Sequence, residues 1–275
     1  MRRYSIWHDG SQWKMLVALL AVALASCSRS SAPPVASHTL RVFAAASLTQ
    51  PFTDLANQFQ ASHPGVNVVL NFAGSNDLVT QIEQGAGCDI FASANQTQMD
   101  ALQKAGGVDS SSITLFATNQ LAIIVPKKNP ADITELADLA KPGVKLIVAD
   151  PTVPVGSYLL TLLQSASALP DYGPDFSAKV LANVKSKEEN VKAVVVKIQL
   201  GEGDAGIAYT SDLVGNNDLA GVPIPGNINP IANYPMAIAA HAAEPDLAKD
   251  FEALVMSPAG QNVLALHGFL PPPSK

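Results

Sequence analysis

Two short stretches of the chain carry a pattern with chemical meaning. "LRVFAAASLT" (residues 40–49) and "NVVLNFAGSNDL" (67–78) each run β-prone, drop to alanine or glycine, and then present one serine, Ser47 or Ser75, where a helix is predicted to begin. A helix N-terminus carries backbone N–H groups with no intrahelical acceptor and a partial positive charge, so it holds an anion without a lysine. Small residues ahead of it let a ligand reach the main chain. A serine at that place is also an ordinary helix cap; two at equivalent strand ends, each with a small lead-in, point to a ligand. A third such place is "ADPTVPVGSYLLTLL" (149–163), where a Pro/Gly turn opens a helix and the available donors are backbone N–H groups near Val155 and Gly156. In a fourth, residues 188–212, Asn190 and Val191 start a helix and Tyr209 ends a strand.

Nucleophilic chemistry at Ser47 would require a base, and no histidine or lysine in these segments stands where it would activate that hydroxyl. The five histidines form no i, i+4 pair and no metal motif. "GEGDAG" (201–206) satisfies G-x-G-x-x-G, yet it follows a helix and precedes a strand, the reverse of the dinucleotide-binding order, and reads as a turn. The expectation is a binding protein, with no cofactor and no resident metal.

The elements that must position these residues alternate. Strands are predicted at 40–45, 66–72 and 88–93, each followed by a helix, at 51–60, 78–84 and 96–104; this is a parallel α/β arrangement. The long β-prone run 115–126 could cross to a second unit. That unit holds a helix at 132–140, a strand at 145–150, helices at 156–165 and 190–200, and a strand at 205–209. Glu188 and Glu189 are expected in the first turn of the 190–200 helix, where negative charge is favourable. Residues 233–241 form the return strand, and helices at 245–256 and 258–267 close the chain. Two lobes joined by two crossover strands leave a cleft between them.

The N-terminus reads as an export signal: Arg2, Arg3 and Lys14 precede the apolar run 15–25, which is too short and alanine-rich for a membrane span. That run ends "LASC", which resembles the lipobox of bacterial lipoproteins and so implies lipidation of Cys27, with residues 1–26 removed and 27–38 left as a Ser/Pro/Ala tether. Cys88 is then the one remaining cysteine, so no internal disulfide forms; it is assigned to the core. The formal net charge is −6, and loss of Arg2, Arg3, Lys14 and Asp9 removes +2 to leave −8. Nucleic acid is an improbable partner for so acidic a chain. A negative protein that binds a negative ligand must do so through local dipoles.

In "FAAASLT", "FAGSNDLVTQIEQGAGCDIFASA", "DPTVPVG" and "GIAYTSD" the chain closely resembles the periplasmic molybdate-binding proteins of ABC transporters, from Leu40 to about Phe269. The resemblance implies a two-lobed α/β fold of the type II periplasmic-binding class, with residues 39–117 plus 236–275 in lobe 1 and 118–235 in lobe 2. It implies a tetrahedral oxyanion, molybdate and also tungstate, held in the cleft by neutral hydrogen bonds from Ser47 and Ser75, from the main chain of Val155 and Val191, and from the Tyr209 phenol. The family often has alanine where Val155 stands, a change that a backbone donor tolerates. Implied too are an exported monomer in the periplasm or at the cell surface, a lipid anchor at Cys27 and an ABC permease as partner. The rival ligands are sulfate, phosphate, ferric ion and organic acids. Ferric sites recruit neighbouring tyrosines, and the chain has no adjacent tyrosine pair. Phosphate sites commonly use a carboxylate, and none stands at the contact positions. Sulfate, of the same shape and charge, is the closest competitor.

Overall fold

The computed structural model describes residues 37–273 together with Tyr4; the rest of the stretch expected to be a signal peptide, the expected lipidation site Cys27 and the expected tether before Ser37 lie outside the described residues. β1 (His38–Ala45) pairs in parallel with β2 (Val66–Ala73) on one side and β3 (Ile90–Ala92) on the other. A 3-10 turn (Ala46–Leu48) and α1 (Thr49–Ser62) follow β1, α2 (Ser75–Glu83) follows β2, and α3 (Gln96–Lys104) follows β3. β4 (Thr114–Pro126) then leads to a second parallel set, β5 (Leu146–Ala149) between β6 (Val184–Glu188) and β7 (Ala205–Tyr209). Its helices are α4 (Pro154–Ser167), α5 (Phe176–Ala182) and α6 (Val191–Gln199). After β8 (Leu219–Val222) and β9 (Ile231–Ile238) come α7 (Pro245–Met256) and α8 (Pro258–Leu266).

The strand order is β2-β1-β3-β9-β4-β7-β5-β6, with β8 also on β4. β4 and β9 link the halves. β4 pairs antiparallel with β9 through residues 114–120 and with β7 through 121–124, and β9 pairs with β3 through 236–238. A register shift between Leu115 and Ala117 interrupts the first of these ladders.

The helices are amphipathic at the expected period. α1 buries Phe52, Leu55, Ala56 and Phe59; α4 buries Leu159, Leu162, Leu163 and Ala166; α6 buries Val191, Val194, Val195 and Ile198. Each large apolar side chain so buried contributes about 1.5–3 kcal/mol relative to exposure. Cys88 is a core residue as expected; burial pushes its thiol up to about 12, and its S–H donates to the Ile90 carbonyl.

Two expectations are corrected, and three elements went unpredicted. Residues 132–140 do not form a helix: only Leu136–Ala140 turn, and in 3-10 geometry. Asp132 has φ +51°, outside right-handed helix, and the Asp138 carboxylate draws in the Thr134 and Glu135 N–H groups at 2.7 and 3.1 Å, fixing a tight turn instead. Glu188 ends β6 and Glu189 lies in the loop before Asn190, so neither is in a helical first turn. α5, β6 and β8 went unpredicted. β6, "VKSKE", is an edge strand of alternating charge, with too little apolar pattern to announce itself.

Candidate functional site

A small cavity, with about 210 Å³ of atom-free space including its mouth, is walled by both half-sheets. From the first come Ala45, Ala46, Ser47, Ala73, Gly74, Ser75 and Ala94; from the second come Val153, Pro154, Val155, Asn190, Val191 and Tyr209. All five ligand-binding positions expected from the sequence thus converge on one place, and no lining side chain carries a charge.

Helix starts surround it. Ser75 is the first residue of α2, Val155 the second of α4 and Val191 the first of α6, so their N–H groups have no intrahelical acceptor. Ser47 differs in detail from the expectation, standing in the 3-10 turn that precedes α1. Asn190 caps α6 by accepting from Ala193 N–H at 3.0 Å, which holds the Val191 end in place. Gly156 is demanded by packing: a Cβ there would lie 2.1 Å from the Asp150 carbonyl oxygen, so glycine lets the start of α4 seat on the end of β5.

Tyr209 ends β7 and is 1% exposed. Its backbone N–H donates to Asp212 Oδ2 at 3.0 Å, and Asp212 Oδ1 accepts from Lys192 Nζ at 2.9 Å, so one buried carboxylate ties the tyrosine to the first turn of α6. The Tyr209 hydroxyl itself is buried with no hydrogen-bond partner. Burial above all, then the adjoining Tyr234, Tyr158 and Asp212, pushes this phenol well above its ordinary value, so at physiological pH it is a neutral O–H donor. A buried donor left unpaired costs about 1–3 kcal/mol, and a ligand oxygen in the cavity would recover it.

The serines are backed from behind. Ser75 Oγ accepts from Ala94 N–H at 3.1 Å, and Ser47 Oγ is 2.9 Å from the Tyr234 hydroxyl. Contacts between the half-sheets border the rim. Gln98 Nε2 donates to the Thr152 carbonyl at 3.2 Å, Asn95 Nδ2 approaches Ser157 Oγ at 3.5 Å, and Gly74 lies so close to the Glu189 carbonyl that a Cβ would be 2.6 Å from it. Neutral donors and several helix N-termini together suit one small, compact, fully deprotonated anion.

Sequence reasoning missed Tyr234, Asp212, Asn190's capping role and the rim contacts. Asp212 had a local signal, standing three residues after Tyr209 in a capping-box arrangement. Tyr234 had none, because Ser47 is 187 positions away.

A family model described as bacterial extracellular solute-binding protein matches residues 40–270. The molybdate-binding protein ModA of Mycobacterium tuberculosis is 35% identical to this chain, across 94% of it and 97% of that relative. Among solved structures, the periplasmic molybdate-binding protein of Azotobacter vinelandii superposes with a TM-score of 0.71 at 19% identity, over 85% of this chain and 100% of that one. The sulfate-binding protein SubI of M. tuberculosis gives 0.78 at 21%, over 85% and 87%. At these identities the structural likeness shows the fold, the two-lobed type II periplasmic-binding architecture. The chain belongs to the bacterial extracellular solute-binding protein family and is a binding protein rather than an enzyme.

Proposed function

We propose that this protein captures molybdate, and tungstate with it, in the cavity between the half-sheets and delivers the oxyanion to an ABC permease. The observation that carries the reading is the convergence of Ser47, Ser75, Val155, Val191 and Tyr209 on one uncharged, donor-lined cavity, with the Tyr209 hydroxyl buried and unpartnered. The 35% identical relative named as molybdate-binding supports the choice of anion. Residues 39–117 plus 236–275 and residues 118–235 act as lobes that close on the ligand; the pairing of β4 and β9 with both half-sheets supports that division. The protein acts as a monomer, needs no cofactor, and is held at a membrane by lipid on Cys27.

Calorimetric titration with molybdate, tungstate, sulfate and phosphate tests the ligand. Molybdate and tungstate should bind alike, with sulfate far weaker because its shorter bonds leave several charge-assisted contacts stretched. Equal affinity for sulfate would move the assignment to that anion. The likeness to the sulfate-binding fold makes this the competing reading. For the anchor, Cys27→Ala should abolish lipid labelling and membrane retention; persistent palmitate labelling would refute it.

A further inference from the structure

A serine hydroxyl both donates and accepts, so a serine facing an anion must be told which to do. At Ser75 the Ala94 N–H, which can only donate, settles the matter by occupying Oγ from behind. At Ser47 the neighbour is Tyr234 Oη, and in that pair either oxygen can be the donor. We propose that Tyr234 is a positioning residue for the bound oxyanion: its phenol donates to Ser47 Oγ and so commits the Ser47 proton to the ligand. This deepens the oxyanion reading of the cavity and rests on it.

Tyr234 does not line the cavity; it stands behind Ser47, fully buried, with its ring edge-on to Phe116, Tyr209 and Phe269. Among the described residues Ser47 is its hydroxyl's hydrogen-bond partner, and burial keeps the phenol protonated. With a deprotonated oxyanion in the cavity only one proton arrangement satisfies every group. If Ser47 donated backward, serine lone pairs would face the anion. With Tyr234 donating, each hydroxyl in the chain has one role, and the outer bond polarises the inner one. Because Tyr234 sits on β9, which pairs with β3 of the first half-sheet and with the other linking strand, β4, the relay anchors the ligand to a linking strand as well as to the Ser47 turn.

The test is a double-mutant cycle with Tyr234→Phe and Ser47→Ala, titrated with whichever of molybdate and sulfate the wild-type protein binds more tightly, so that a mistaken anion leaves the cycle intact. Tyr234→Phe should weaken binding about threefold to tenfold in the wild-type background and by less than about twofold when Ser47 is already alanine. Site-specific 3-fluorotyrosine at 234, a stronger donor of nearly the same shape, should tighten binding about twofold. A tyrosine that merely packs would give equal losses in both backgrounds and the same direction for both replacements; either result overturns the relay. Failure of the wild-type protein to bind any tetrahedral oxyanion would overturn both the relay and the reading beneath it.

Discussion

Where β1 and β2 reach the cavity, the chain continues Ala45-Ala46-Ser47 and Ala73-Gly74-Ser75, and the donors include side-chain hydroxyls. Where β5 and β6 reach it, the following helices open with Pro154-Val155-Gly156 and Asn190-Val191, and the donors at those two turns are main-chain N–H groups. The two halves therefore constrain sequence differently. In the first half the side chain is the contact, and its neighbours must be small. In the second the side chains of Val155 and Val191 point to packing, both are buried, and any apolar residue that seats the helix serves. Tyr209 is the exception that brings a side-chain donor to the second half.

The sharpest way to break this comparison is Gly74→Ala. The added Cβ would meet the Glu189 carbonyl across the cleft at 2.6 Å, and backbone cannot swing aside as a flexible side chain would. Overpacking of this kind costs about 1–3 kcal/mol, so affinity should fall by up to about a hundredfold. The thermal midpoint without ligand should move little: the added Cβ also meets Asn76 Oδ1 at 2.7 Å within the same half, but that side chain can turn away, whereas the backbone clash arises only where the halves meet. Gly156→Ala is the contrasting case: its clash is with Asp150 and Ala149 inside one half, and it should lower the melting temperature itself. A melting-temperature loss from Gly74→Ala as large as that from Gly156→Ala would contradict the assignment of the 2.6 Å contact to closure.

Next in size is Val191→Pro. Val191 is the first residue of α6, a position proline favours, and Asn190 before it is extended at φ −159° and ψ 169°, as a residue preceding proline prefers. The helix should survive while one N–H donor disappears. A hydrogen bond to a charged group is worth about 1.5–3 kcal/mol, so binding should weaken by tenfold to about a hundredfold. Val191→Ala and Val155→Ala should change it by less than about twofold beyond any packing loss. Were Val191→Ala to cost as much as the proline, the contact would belong to the side chain and the contrast between halves would fail.

Tyr209→Phe removes one phenolic donor and should weaken binding about tenfold by titration. Its melting temperature without ligand should not fall, because the hydroxyl has no partner to lose. Unchanged affinity would make Tyr209 a core residue only.

These contrasts also explain what could be read from the sequence. Strands ending in small residues and a serine, a Pro-Gly helix start, and i, i+3, i+4 apolar spacing are local patterns, and from them came the parallel strands, most helices and the segments that hold the five converging positions; the set of five, Tyr209 above all, came from the family resemblance. What was missed depends on distant partners or on weak local patterning. Tyr234 meaningfully contacts Ser47 only after β9 is threaded beside β3; Gly74 meets Glu189 only when the halves come together; the charged edge strand β6 is held by its pairing with β5. The apolar spacing of 132–140 fitted a helix, and the side chains of Asn129 and Asp138, binding nearby N–H groups, overrode it.

The smallest expected effect lies at the rim, where the halves bring like charges together. Asp77, in the first turn of α2, is partly buried, and that burial, followed by the charge of Glu189 across the cleft, raises its carboxyl above the ordinary value. A raised carboxyl favours the folded, closed form while it is protonated. That contribution is complete below the unfolded value near 3.9 and disappears as pH rises through the folded value, so at neutral pH the Asp77 charge opposes both Glu189 and an incoming anion. Asp77→Asn should therefore tighten oxyanion binding about twofold to threefold at pH 8, the scale of a partly exposed charge pair. The gain should shrink as pH falls through the raised folded value and in high salt, which screens exposed charges. The same change removes an acid from a helix N-terminus, at a cost of about 0.3–1 kcal/mol, which offsets part of the relief, so the melting temperature at pH 8 should change little while affinity rises. Weaker binding by Asp77→Asn at pH 8 would mean that the carboxylate assists closure, and the rim would then have to be counted among the attractive contacts between the halves.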